Sequence, residues 1–231
     1  MKIFAISDLH LAISSNKPMD IFGGAWDNYL EKIRQSWLEK VSPEDVVIVA
    51  GDISWAMKLD EFAKDLVFFE GLPGTILMVR GNHDYWWGTV SKVRAMLPSN
   101  MHVLQNDAIK IENVIFCGTR GWEVPNNGST QQDLHLYERE KIRLSLALQE
   151  AKRLQTNQEK LVAIVHYPPY LPKNKQTDFV KLFNEFGVNA VVFGHVHKDP
   201  MGLKLTEQID GIDYYLTSCD LLNNQITQIM P

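Results

Sequence analysis

TILMVRGNHD, residues 75–84, joins an apolar, partly β-branched run to a cluster of amide, imidazole and carboxylate side chains. Thr75 to Val79 reads as a strand, because a short apolar run bounded by Gly and polar residues suits one buried on both faces. Gly81-Asn82-His83-Asp84 then falls at its C-terminal end. The pattern recurs along the chain. Lys2 to Ile6 leads to Asp8-Leu9-His10, and Asp45 to Ala50 leads to Gly51-Asp52. Leu161 to Val165 leads to His166, and Ala190 to Phe193 leads to Gly194-His195-Val196-His197. Such continuous runs predict an α/β chain with its sheet covered by helices. Five strand ends therefore present Asp, His and Asn at the edge where open α/β sheets build their sites.

Amphipathic stretches lie between these strands. Trp26 to Lys40 spaces Trp26, Leu30, Ile33 and Trp37 at near-helical intervals. Leu59 to Phe69 and Leu134 to Leu154 also predict helices, and Thr177 to Phe186 a shorter one between a Thr cap and Gly187. Strand pairs are expected over Met101 to Gly118 and Met201 to Ile229, with turns at Glu112-Asn113 and Asp210-Gly211. The longest irregular piece, Gly118 to Asp133, is long enough for a functional loop. With no linker, repeat or low-complexity tract, residues 1–231 read as one domain.

Composition narrows the function classes. The 231 residues are 45% hydrophobic and 22% charged, with a net charge of −5. That balance belongs to a globular protein, and its sign gives no electrostatic footprint for nucleic acid. No apolar run approaches the roughly 20 residues of a membrane span. Cys117 and Cys219 stand far apart and read as buried thiols in a reducing compartment. The expected location is the cytoplasm.

Five of the seven histidines fall at the strand ends, leaving only His102 and His135 elsewhere. Any one of these residues alone would more often be a capped turn or a satisfied buried histidine. The ordered set points to a metal centre. On a loop at a strand end, Asp8 and His10, and likewise His195 and His197, can turn to one centre. Carboxylate, imidazole and amide ligands without thiolate suit Mn, Fe, Zn or similar divalent ions. Glycines at 51, 81 and 194 let the backbone turn sharply before the ligands.

The sequence resembles the calcineurin-like metallophosphoesterase superfamily, whose pattern appears here as DLH (8–10), GD (51–52), GNHD (81–84), VH (165–166) and GHVH (194–197). The resemblance implies a four-layer α/β/β/α sandwich of two mixed sheets flanked by helices, with a dinuclear centre. It implies that Asp8, His10, Asp52 and His197 bind one metal, and that Asp52, Asn82, His166 and His195 bind the other, Asp52 bridging. The ions would be manganese, with Fe, Zn, Ni or Co as alternatives. Two ions about 3.5–4 Å apart would polarise an anionic ester and lower the pKa of a bridging water, giving hydroxide for in-line attack. His83 is not a ligand in the family pattern. Protonated, it would act as general acid toward the leaving alkoxide. Asp84 would accept its other ring N–H and hold that tautomer.

Around these motifs, Trp55, Tyr85, Trp122 and Tyr167 can form a stacking wall, while Trp86 and Trp87 read as loop anchors to the core. Arg120 and Lys58 can contact phosphate, although solvated surface charges are commoner. Ser/Thr protein phosphatases of the superfamily carry GDxxDRG and GNHE, where this chain has GDISWAM (51–57) and GNHD. The missing Asp-Arg argues against that activity. The acidic chain argues against a nuclease, and the complete ligand set against a non-catalytic scaffold. A small-molecule phosphodiesterase or phosphatase is the expected function.

Overall fold

The five apolar runs do form strands, and they divide between two sheets. The computed structural model describes residues 1–15, 17–198 and 202–231. The strands are β1 (Ile3–Ile6), β2 (Val46–Val49), β3 (Thr75–Val79), β4 (Met101–Leu104), β5 (Asp107–Ile111) and β6 (Val114–Gly118). They continue with β7 (Lys160–Ile164), β8 (Ala190–Phe193), β9 (Thr206–Ile209), β10 (Ile212–Leu216) and β11 (Thr227–Met230). The α-helices are α1 (Tyr29–Lys40), α2 (Leu59–Asp65), α3 (Val90–Met96), α4 (Gln131–Leu154) and α5 (Asp178–Glu185).

One sheet has the order β11-β1-β2-β3-β4 and the other β5-β6-β7-β8-β10-β9. Within the first, β1 to β4 are parallel and β11 is antiparallel. Within the second, β6, β7, β8 and β10 are parallel, while β5 and β9 pair antiparallel at the edges. Both sheets are therefore mixed.

Alternate residues of these strands serve two cores. Ile3, Ala5, Val46, Ile48, Leu77 and Val79 pack between the sheets against Phe116, Val162, Ile164 and Val192. Their neighbours Phe4, Ile6, Val47, Val49, Ile76 and Met78 face outward onto Ile33, Trp37, Phe62 and Val93 of α1 to α3. On the far side Ala163, Val191 and Phe193 meet Leu144, Leu148, Phe179 and Phe183 of α4 and α5. This is the expected α/β/β/α layering, and it explains why the strands lack an apolar–polar alternation.

Some expectations need correction. Met101 to Gly118 is not one local strand pair: β4 extends the first sheet beside β3, and only β5-β6 is a hairpin, in the second sheet. Likewise β9-β10 form the hairpin turning at Asp210, but β11 crosses back to pair with β1. Met201, where that strand pair was expected to begin, lies outside the described residues. Trp26 ends a short 3₁₀ turn rather than starting α1, and α3 carried no recognised signal. The long helix starts earlier than expected because Thr130 caps it and Asp133 closes a capping box.

The sheets meet at their C-terminal edges. Ser7, just past β1, donates its N–H to Thr217 O at 2.8 Å, and Cys219 N returns to Ser7 O at 3.1 Å. Loops from both sheets are thereby fastened side by side.

Candidate metal centre

Asp8, His10 and His197 form one group of ligand atoms, and Asp52, His166 and His195 a second, each within 4.8 Å. In the first, His10 Nε2 lies 3.4 Å from His197 Nε2, which is 3.5 Å from Asp8 Oδ1. In the second, Asn82 Oδ1 is 2.8 Å from both His166 Nε2 and His195 Nδ1, and those nitrogens are 3.3 Å apart. Asp52 Oδ2 sits between the groups, 3.9 Å from His10 Nε2 and 3.5 Å from His166 Nε2. Ligand atoms about 2.0–2.2 Å from a common ion stand about 2.8–3.6 Å apart at adjacent positions of tetrahedral or octahedral geometry. The spacings within each group, and a donor set of N and O without thiolate, fit divalent metals.

The backbone at the ligands is unusual. Asp8, His10, Asp52 and His195 have φ of 61°, 45°, 49° and 74°. Left-handed backbone is costly for non-glycine residues and concentrates at functional sites. Here it sets the direction of the ligand side chains after β1, β2 and β8.

The glycines work differently from the expectation that each turns the chain. Gly51 does, with φ +93°. Gly81 and Gly194 lie outside the left-handed region, and space is what excludes a side chain there. A Cβ on Gly81 would lie 2.1 Å from Asp52 Oδ1 and 2.2 Å from Asp52 N; on Gly194 it would lie 2.4 Å from Asp8 Oδ2.

Buried partners fix the imidazoles. His166 Nδ1 donates to Ala50 O at 2.9 Å, leaving Nε2 to face Asp52 and Asn82. His197 Nδ1 lies 3.0 Å from Asp220 Oδ1, leaving Nε2 for the first group. Both are the outer contacts that orient metal-binding histidines. Asp220 escaped sequence reasoning: its only signal is a carboxylate shortly after a buried strand, outside any motif. Trp26 was read as a helix residue, yet its ring lies 5.6 Å from that of His197.

The electrostatics are those of a site built for cations. Burial pushes Asp8 up, and it pushes His10 and His195 down to about 3. Burial also opposes charge on His166, but the Asp52 carboxylate outweighs it and raises this ring to about 9. Asp52 is correspondingly held low: burial resists its ionisation, and His166 overcomes that resistance.

His83 stands on the rim. Its side chain is 35% exposed, and Nε2 is 4.0 Å from Asp52 Oδ2. The ring packs 4.5 Å from that of Trp55, which in turn stacks on His10 at 4.8 Å. The expected bond from His83 to Asp84 is not formed; among the described residues His83 Nδ1 has no partner. Asp84 instead accepts from Ile53 N, Ser54 N, Gly81 N and Trp86 Nε1 at 2.7–3.1 Å. It ties the loop after β2 to the loop after β3. Burial, then the Asp52 charge, raises its pKa to about 6.

Of the other aromatics, Trp86 and Trp87 are buried as expected, Trp86 stacking on Phe62. Tyr167 packs 4.3 Å from the His195 ring and Trp122 against Tyr167, so this part of the wall supports a ligand. Lys58 is exposed. Beside His195 opens a largely apolar recess of about 260 Å³ lined by Val124, Leu171, Pro172, Val196 and Leu203. Val124 gives the loop between β6 and α4, residues 119–130, a place at the site.

The family described as calcineurin-like phosphoesterase matches residues 1–199. No curated protein is similar enough to match. Among solved structures, a protein of unknown function from Aquifex aeolicus has a TM-score of 0.54 at 14% identity, over 98% of this chain and 95% of that one. A novel archaeal phosphodiesterase has a TM-score of 0.42 at 15% identity, over 100% of both chains. The first of these is a likeness of fold. The family match spans most of the chain and every ligand-bearing strand end described above. This chain belongs to the calcineurin-like phosphoesterases, metal-dependent hydrolases of phosphoric esters.

Proposed function

We propose that the chain is a dinuclear phosphodiesterase or phosphatase acting on a small molecule. Asp8, His10, Asp52 and His197 hold one manganese ion, and Asp52, Asn82, His166 and His195 hold the other. The observation that carries this reading is the place of Asp52 Oδ2, within 3.9 Å of His10 Nε2 and 3.5 Å of His166 Nε2. A shared anionic ligand offsets the repulsion of two close cations. When bound, the two ions supply the charge that draws in the ester and acidifies the attacking water.

The chain's own groups do the rest. Asp8 receives the His195 N–H and so couples the two ligand sets. Ala50 O and Asp220 hold two imidazoles in ligating tautomers. His83 donates the leaving-group proton from Nε2, its backbone N–H anchored to Asp52 Oδ1 at 2.8 Å. Asp84 is a positioning residue that joins the two loops, not the partner of His83. The apolar recess beside His195 takes the non-phosphate part of the ester. Residues 1–231 act as one catalytic domain, since β9 to β11, beyond the matched region, complete both sheets. Two buried free thiols support a cytoplasmic location. Among the described residues no helix is long and apolar enough to cross a membrane.

Hydrolysis of a bis-aryl phosphodiester and an aryl monoester by manganese-loaded protein tests the reading. Turnover of at least one is expected; none with any divalent metal contradicts it. His83→Asn should keep its metals and lose about 10²- to 10⁴-fold in kcat on an ester with a poor leaving group. Unchanged kcat there removes the general-acid role.

A further inference from the structure

Outside the two ligand groups, between the ends of β3 and β6 and the first half of α4, lies a cavity of about 290 Å³. Its charged walls are Arg80, Arg120, Arg139, Arg143 and Glu140, and its other lining residues are uncharged. Four guanidiniums against one carboxylate leave a net charge of +3. Glu140 is already committed: Oε1 is 2.6 Å from Arg143 Nη1, 3.6 Å from Arg139 Nη2 and 3.9 Å from Arg120 Nη2. Its Oε2 accepts from Thr119 Oγ1 at 3.1 Å. The Nε–H groups of Arg80, Arg120 and Arg139 are buried, with no hydrogen-bond partner among the described residues. Buried polar groups are normally paired, and a network built only for stability would balance its charges. The like charges repel, and an anion among them would relieve both defects.

We propose that this cavity binds a phosphate-type oxyanion, either a second phosphate group of the substrate or a free anion. Guanidinium forks match tetrahedral oxyanions, giving paired charge-assisted hydrogen bonds. At about 290 Å³ the cavity falls at the small end of ligand pockets, about 300–1,000 Å³. It is also joined to the metal centre. Arg120 O accepts from His166 N at 2.9 Å, and Arg80 immediately precedes Gly81-Asn82. The loop after β3 thus carries both Arg80 and the ligand Asn82, and the loop after β6 holds Arg120 against the backbone of the ligand His166. Occupation by a substrate phosphate rests on the phosphoesterase reading above; the anion site itself does not.

The test begins with sulfate titrated calorimetrically into metal-free protein. Saturable binding is expected, weakened about tenfold or more in Arg80→Gln and Arg139→Gln, and tightened in Glu140→Gln, which removes the one carboxylate lining the cavity among the described residues. Opposite signs distinguish a binding site from general loosening of the fold. Absence of saturable binding, or equal binding by wild type and all three variants, overturns the proposal. The second arm compares KM, on manganese-loaded protein, for a bis-aryl phosphodiester and for an aryl phosphodiester bearing a second phosphate group. A larger rise for the latter in Arg139→Gln assigns the site to the substrate's phosphate. Equal rises with sulfate binding lost assign it to a free anion. Lack of hydrolysis with either ester counts against the proposed function and leaves the sulfate result standing.

Discussion

Gly81→Ala separates two reasons for a glycine in the GNHD loop. If Gly81 were needed for a sharp turn, alanine would be tolerated, because its φ lies outside the left-handed region. The structure predicts otherwise. The added Cβ would lie 2.1 Å from Asp52 Oδ1, 2.2 Å from Asp52 N and 2.8 Å from Asp52 Cγ. The carboxylate can rotate, but the backbone nitrogen cannot, so one of the two loops must move by about 1 Å to restore van der Waals contact. Such overpacking costs about 1–3 kcal/mol, towards the upper end where backbone meets the new atom. The movement also breaks the His83 N–H bond to Asp52 Oδ1, 2.8 Å long, and a bond to a charged acceptor contributes about 1.5–3 kcal/mol. The sum is about 2.5–6 kcal/mol. For a chain of this size each kcal/mol lowers Tm by about 2–4 °C, so a fall of about 5–24 °C is expected. Thermal unfolding in EDTA measures it, with Gly88→Ala as control, since a Cβ there meets nothing within 4 Å. Manganese titration of the same variant should show weakened binding of both ions, because Asp52 faces both groups. A Tm within 2 °C of wild type, by this scale less than about 1 kcal/mol, together with unchanged manganese affinity, would refute the steric argument.

Two further outcomes concern ligand orientation and protonation. Asp220→Asn should weaken one of the two manganese ions by about 10- to 100-fold and spare the other, because among the ligands in the described residues Asp220 bonds His197 and no other; equal affinities for both ions in variant and wild type would contradict this. Without metal, the His166 ring is raised to about 9 by Asp52 against the effect of burial, so below that pH its Nε2 proton must leave before a metal binds. Calorimetry at pH 7 in buffers of different ionisation enthalpy should show proton release on manganese binding, and apparent affinity should climb with pH until about 9. The same raised pKa, with Asp52 held low, makes the His166–Asp52 pair stabilise the metal-free fold fully between about pH 4 and about pH 6.5. That contribution is lost as pH rises through about 9. Buffer-independent heats at pH 7 would count against a protonated His166.

The ligands were legible because each follows a buried strand and the order of strand ends repeats a family pattern. Their joint direction was not, since it depends on left-handed backbone at Asp8, His10, Asp52 and His195. Asp84 shows the limit of adjacency: next to His83 in sequence, its carboxylate turns to the backbone of residues 53, 54 and 81. Asp220 follows Thr217-Ser218-Cys219, a stretch with no motif, and becomes recognisable only once the end of β10 lies beside β1. The division into two sheets was equally silent from residue pattern alone. Strands such as Val46–Val49 are buried on both faces, so their hydrophobicity carries no period to say which face meets a helix and which the other sheet. β11 and α3 are short, and neither has composition that marks its partner.

Two metal ions sharing Asp52 would be visible by anomalous diffraction from manganese-soaked crystals. Two peaks are expected, one among Asp8, His10 and His197 and one among Asn82, His166 and His195, about 3.5–4 Å apart with Asp52 between them. A single peak, or two peaks with Asp52 touching only one, would contradict the shared centre.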